Sequence, residues 1–185
     1  MSKATAAKPA ASDIGGGIAF AATTATAPTS ATAALGTGFT NVGYVSQDGV
    51  RRNISLESNV IKAWGGATAY ATAGRKTETF RFKVIEAYGV DFQGMVMGNA
   101  SGTLATGITV QSTDAPQAAH MWVVTMLEVD GVTHRIVIPE GVITAIGEIQ
   151  YVDTDVTGYE VTITAIADSS GNTAYDYYQA ASSGT

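Results

Sequence analysis

The 185-residue sequence predicts a mainly β, β-rich α+β domain of sandwich or barrel type with one short helix. Three observations carry this. Apolar and polar residues alternate with a period of two in several segments after residue 40. Turn signals punctuate those segments. Only one stretch has a helical period.

Residues 1–38 are mostly Ala, Thr, Gly and Ser, and Phe20 is their single aromatic residue. So little apolar area does not offset the entropy of ordering a chain. The segment therefore reads as an N-terminal arm that orders in part on assembly, followed by a domain over 39–185. Within the arm "GGGIAFAAT" has the makings of a short strand, given a sheet edge from a neighbouring chain. "TATAPTSATAAL" reads as a loop around Pro28.

In the domain, "TFRFKV" sets Phe80, Phe82 and Val84 against Thr79, Arg81 and Lys83, as a half-buried strand does. "GYEVTITAIA" sets Tyr159, Val161, Ile163 and Ala165 against Glu160, Thr162 and Thr164. Asp-Gly pairs at 48–49 and 130–131, each followed by Val, predict hairpin turns. "PEGV" (139–142) and "SSGN" (169–172) predict further turns. One strand departs from alternation: "HMWVVTMLEV" is apolar on both faces, Met121, Val123, Leu127 and Val129 on one, Trp122, Val124 and Met126 on the other. Both faces need a cover, either the helix or another subunit. The helix is "YGVDFQGMVMG", with Tyr88, Phe92, Met95 and Val96 on one side, Asp91 near its start and Gly98 placed to end it.

Charge is divided unevenly. Residues 1–99 hold nine Lys and Arg against six Asp and Glu, whereas residues 100–185 hold Arg135 against ten acids. An acidic half of this kind does not grip phosphates, because such affinity comes from cations that displace counterions. With no cysteine there is neither a disulfide nor a thiolate metal site. No apolar run approaches the roughly 20 residues of a membrane span. The N-terminus, with Lys3, Lys8 and Asp13 among Ala and Gly, makes a poor signal peptide and suggests a cytoplasmic product.

The sequence offers catalysis little. His120 and His134, the two histidines, fall inside predicted strands. In "GNASG" Ser101 is misplaced for a nucleophile elbow. Gly15–Gly17 lacks the Lys-Ser/Thr of a phosphate loop. "DTDVTGYE" copies the first half of a calcium loop with Asp153, Asp155, Thr157 and Gly158, but its twelfth position is Thr164 where a bidentate Glu is needed. Asn53 and Asn99 stand in sequons that matter only in a secreted protein. The reading is of a non-enzyme with no catalytic residues, no cofactor and no metal.

"ATAALGTGFTNVGYVSQDGVRRNISLESNVIKAWGG" resembles the major tail proteins, or tail tube proteins, of long-tailed phages, especially those infecting actinobacteria. The resemblance rests on the Ala-rich lead with Pro28, on "GYVSQDG" (43–49) and on "IKAW" (61–64). "TFRFKVIEA" and the short helix follow in the family's order. It implies a structural virion protein whose copies form hexameric rings, stacked into a tube that conducts DNA out of the capsid without binding it specifically. The implied partners are further copies, the tape measure protein, the distal tail protein and the tail terminator, with no membrane. The place is the virion tail, assembled in the host cytoplasm. A long loop or hairpin within 46–75 and the arm of 1–38 would contact neighbouring rings and subunits.

Carried onto single residues, the interface candidates are Ile18, Phe20, Gln47, Asp48, Arg51, Arg52, Trp64 and Trp122, with Lys62 among the basic contacts. Glu128, Glu140, Glu148, Asp153, Asp155 and Glu160 are candidates to face the channel, where they would repel DNA. Two other readings stand beside this one. A connector or tail-terminator protein would form single rings. A monomeric β-sandwich module for carbohydrate or a cell surface would use Tyr175, Tyr177 and Tyr178.

Overall fold

The computed structural model describes residues 17–85, 88–128, 131–153 and 156–180, together with the backbone of 8–9. In chain order the elements are β1 (Lys8–Pro9), β2 (Ile18–Ala22), β3 (Thr40–Asn41), β4 (Arg51–Lys62), β5 (Thr68–Val84), α1 (Val90–Met97), β6 (Gly98–Thr103), β7 (Gly107–Ser112), β8 (His120–Leu127), β9 (Val132–Ile146), β10 (Tyr159–Ile166) and β11 (Tyr175–Ala180). The protein is mainly β, with antiparallel pairing and one short helix, as the alternating segments predict.

The main sheet runs β3-β2-β8-β9-β10-β5-β4, with β1 added to β8 and β11 to β9; β6 and β7 form a separate hairpin. Strands β8 and β5 are separated by two others, so in a flat sheet they would lie about 14 Å apart. Yet the rings of Trp122 on β8 and Phe82 on β5 are centred 6.0 Å apart. The sheet therefore curls, and its concave face holds the core: Ile18, Phe20, Phe80, Phe82, Val84, Trp122, Val124, Ile136, Ile138, Val161 and Ile163. Helix α1 closes this face with Phe92 and Val96 and ends at Gly98 (φ 119°). Tyr88, predicted on the helix's inner side, is exposed just before its start.

Both faces of β8 are covered, as predicted, but the second cover is neither of those expected. Strand β2 pairs with β8, Ala19 opposite Val123 and Ala21 opposite Met121. Beyond it the chain of 28–33 folds over this face. Buried Arg135 donates to Thr125 Oγ1 (3.1 Å) and to the carbonyls of Ser30 (3.1 Å) and Ala33 (2.5 Å). Pro28 and Ala31 are buried. The expectation that Ile18–Phe20 pairs with a neighbouring chain is thus corrected, because β8 offers an edge within the same chain. Ile18, Phe20 and Trp122 spend their side chains in the subunit's own core, not on a free surface. Of the arm, residues 1–7 and 10–16 lie outside the described residues.

Two predicted turns take another form. At 46–49 a tight turn forms (Gly49 N to Ser46 O, 2.9 Å), but it joins no hairpin. Val45 pairs with Val84 and Arg51 with Arg81, so the chain bulges and returns to the same edge of β5. "PEGV" lies inside β9, where the register with β8 slips between His120 and Trp122. There the Trp122 indole packs on the backbone of Gly141 and donates to its carbonyl (3.1 Å). A Cβ on Gly141 would stand 2.8 Å from the indole and 2.7 Å from Ile163. The turns at 128–132 and 168–172 form as predicted, with Gly131 and Gly171 at positive φ.

Phe20→Ala is expected to cost the isolated subunit about 3–5 kcal/mol and Ile18→Ala about 2–5 kcal/mol in urea unfolding. Variants as stable as the parent would show that β2 is not part of the subunit's core.

Candidate assembly surface

Strand β5 is longer than its neighbour. It pairs with β10 only from Glu78 to Val84, so residues 68–77 pair with β4 alone. Together with 55–62 they make a two-stranded ribbon that leaves the domain for about 25 Å at the usual rise per residue. Its tip is the turn Ala63–Ala67, where Gly65 and Gly66 take positive φ. Register places Ile54, Leu56, Val60, Ala71 and Ala73 on the face that continues the core, and Ile61 and Tyr70 on the other. All are exposed, and Trp64 at the tip is fully so. An extra residue on β5 bulges the ribbon between Leu56 and Ser58, where Gly74 approaches Glu57.

A polar cluster lies at the ribbon's root. Glu78 shares the core face with Phe80 and Phe82, and its side chain is fully buried. Arg52 Nε donates to it, Lys76 Nζ stands 3.1 Å away and Thr173 Oγ1 donates at 2.6 Å. Arg52 Nη1 also reaches both oxygens of Asp176 on β11, at 3.0 and 2.8 Å. Asp176 Oδ1 is 3.0 Å from His134 Nε2 on β9. The His134 ring stacks on Tyr178 (4.1 Å), and its Nδ1 is 3.5 Å from Glu128. Burial pushes the carboxyls of Glu78 and Asp176 up. For Glu78 the bonds from Thr173, Arg52 and Lys76 outweigh that; for Asp176 those from His134 and Arg52 do. Both groups fall below their ordinary values. Burial lowers the affinity of Arg52 for its proton, but Asp176 and Glu78 more than restore it, so its pKa is raised.

The remaining predicted residues are dispersed. Gln47 and Asp48 are exposed on the turn before β4, and Arg51 and Lys62 are exposed along it. Arg52, expected to pair with a neighbour's acids, is engaged inside its own chain. Glu128 and Glu148 sit at opposite ends of the 15-residue β9. Glu148 and Glu160 line a shallow cleft of about 260 Å³ with Lys83 and Gln150, and Glu160 pairs with Arg81. Glu140 is half-buried in β9 and Asp153 is exposed; Asp155 lies outside the described residues. The acids do not form one patch. Of the tyrosines, Tyr175 donates to Asp168 Oδ2 (2.6 Å) and stacks on Tyr177, while Tyr178 stacks on His134. Among the described residues no three His, Asp or Glu side chains are placed to hold a metal. The histidines stand on different strands, with His120 beside Phe20.

A family profile described as "Phage tail tube protein" matches residues 13–183. The chain belongs to the phage tail tube protein family. As a tail tube family member it is a structural protein of the virion tail and not an enzyme. No curated protein matches it in sequence. Among solved structures it is similar to the anti-feeding prophage cap, described as a tube-terminating cap. That match has a TM-score of 0.41 and 9% identity, with 89% of each chain covered.

Sequence reasoning passed over Glu78. Its position two residues before Phe80, on the inward face of an alternating strand, was the available signal. Because Glu78 and Asp176 have lowered pKa values, their contribution is present above the usual carboxylate range and lost as pH falls through their folded values. The parent is expected to lose stability in acid more steeply than Asp176→Asn; parallel stability–pH curves would refute the network.

Proposed function

We propose that the protein is the repeating subunit of the tail tube, that six copies form a ring, and that rings stack through the projecting ribbon into a conduit for DNA. The observation that carries this is the ribbon itself. A two-stranded hairpin is marginal in water, and this one exposes apolar side chains on both faces, with none of the described residues of its own chain covering them. A second copy is the cover that a tube of repeated subunits supplies, with Trp64 as its anchor. Arg51 and Lys62 lie beside it as contacts for a neighbour's acids.

The face of β5 and β10 opposite the core is polar, with Thr79, Arg81, Lys83, Glu160, Thr162 and Thr164, and Thr144 bonds Thr164 across it (2.8 Å). A surface of hydroxyls and charges paired within the chain suits the wall of a water-filled channel, because cations already matched by acids hold phosphates weakly. The tape measure, distal tail and terminator proteins are the partners that the family reading brings, and the virion is completed in the host cytoplasm. An actinobacterial host rests on the resemblance, which covers residues 15 to about 100. Of the expected arm of 1–38, residues 1–7 and 10–16 remain proposed as contacts toward neighbouring subunits.

Leu56→Asp and Trp64→Ala are expected to leave unfolding of the free subunit within about 0.5 kcal/mol, as exposed substitutions do, and to abolish tubes seen by negative-stain microscopy. Tubes of normal length from both variants would overturn the ribbon's role. Single rings from the parent under all conditions would point to a connector or terminator.

A further inference from the structure

The ribbon's direction is set by few groups. Backbone pairing carries β4 and β5 out of the sheet, but β11 pairs with β9 and not with the ribbon. Side chains cross the gap: Arg52 to Asp176, and Thr173, just before β11, to Glu78. We propose that Arg52, Glu78 and Asp176 form a clamp through which the C-terminal strand fixes the angle at which the ribbon leaves the domain.

Three features support this. The guanidinium is planar and holds two carboxylates at once, so it fixes orientation as well as distance. Its partners are anchored: Glu78 is buried and tied to Thr173 and Lys76, and Asp176 is held by His134, which Tyr178 and Glu128 flank. Beyond the clamp the ribbon's side chains are exposed, with no packing partner among the described residues, and it is bulged at Gly74, so little else resists bending. A swing of about 10° at the root moves a tip some 25 Å away by about 4–5 Å, enough to misplace Trp64 by a side chain's width. The charged and titratable groups facing the joint are Arg52, Lys76, Glu78, Asp176, Glu128, His134 and Tyr178. With both clamp carboxylates held below their ordinary range, the clamp stays closed at neutral pH and opens only in acid.

The consequence for tube growth rests on the reading of the ribbon as an assembly contact; the clamp itself does not. Because the chain has no cysteine, Asn59→Cys on the ribbon and Ala145→Cys on β9 take spin labels without background. Pulsed dipolar spectroscopy then reads the ribbon's angle in the free full-length subunit. Asp176→Asn and Arg52→Gln are expected to broaden the distance distribution at least two-fold, with Arg52→Lys intermediate. The labelled parent is expected to broaden likewise as pH falls below the ordinary carboxylate range, while circular dichroism still reports a folded sheet. A width unchanged in the variants and across the acid titration overturns the clamp. Negative-stain microscopy of the same variants separates the two ideas. Broadened distances with lost tubes support both. Broadened distances with normal tubes keep the clamp and refute the ribbon as an assembly contact. Lost tubes with unchanged distances overturn the clamp, since Arg52 and Asp176 would then touch the neighbour directly.

Discussion

The architecture turns on one mismatch of length. Strand β5 has 17 residues, and its partner toward the core covers only the last seven of them. A strand that continues past its neighbour still needs partners for its backbone groups, and β4 supplies them on one edge only. The other edge and both faces of the ribbon therefore meet solvent in the single chain. Glu78 marks the boundary on the inward face of β5: Phe80, Phe82 and Val84 point into a closed core, whereas the ribbon's side chains before Lys76 are exposed. A buried carboxylate there is tolerable because three donors surround it, and it ends the apolar face of the core.

That boundary explains why the interior could be built from little. The curled sheet puts Trp122 at the centre, between Phe20 on one side and Phe82 on the other, with its indole donating to Gly141. The bulge at 139–141 is what lets the large ring approach a backbone there. On the opposite face of β8 the cover is a segment of small residues, pinned by Arg135 through main-chain carbonyls instead of by large apolar side chains.

Much of this was legible in the sequence, and what was not has a common cause. Alternation fixed the inward residues of 79–84 and 159–165, and the helix of 90–97 was visible with its closing Gly98. The need for covers on both faces of β8 was also visible. Which segment provided the second cover was not, because the pairing of Ile18 with Val124 joins residues about a hundred positions apart and leaves no local trace. Composition argued against residues 17–38 being ordered, since alanine buries little; but a strand seated on an existing edge needs only Ile18 and Phe20 to hold it. Asp48–Gly49 and "PEGV" carried turn chemistry that bulges use equally well, and a bulge depends on what packs above it. The polar cluster was hidden for the same reason. Arg52, Glu78, His134 and Asp176 are scattered in sequence and converge only through the register of five strands.

The exposed ribbon raises the question of how a subunit bearing it avoids random association. Open strand edges and apolar side chains invite any other strand to pair. This ribbon carries the usual deterrents. Lys62, Arg75 and Lys76 against Glu57 leave it cationic, so two ribbons repel one another at low salt. The bulge at Gly74 and the irregularity at Lys62 break the straight run of donors and acceptors that edge pairing needs. The ribbon is thus poorly matched to a second ribbon; under the proposed assembly its partner is the body of a neighbouring copy, whose second half has ten acids to one arginine. Under that proposal, association of unlike surfaces, ribbon to body, is head-to-tail and does not close on a pair. It propagates, which is the geometry that a tube of indefinite length requires.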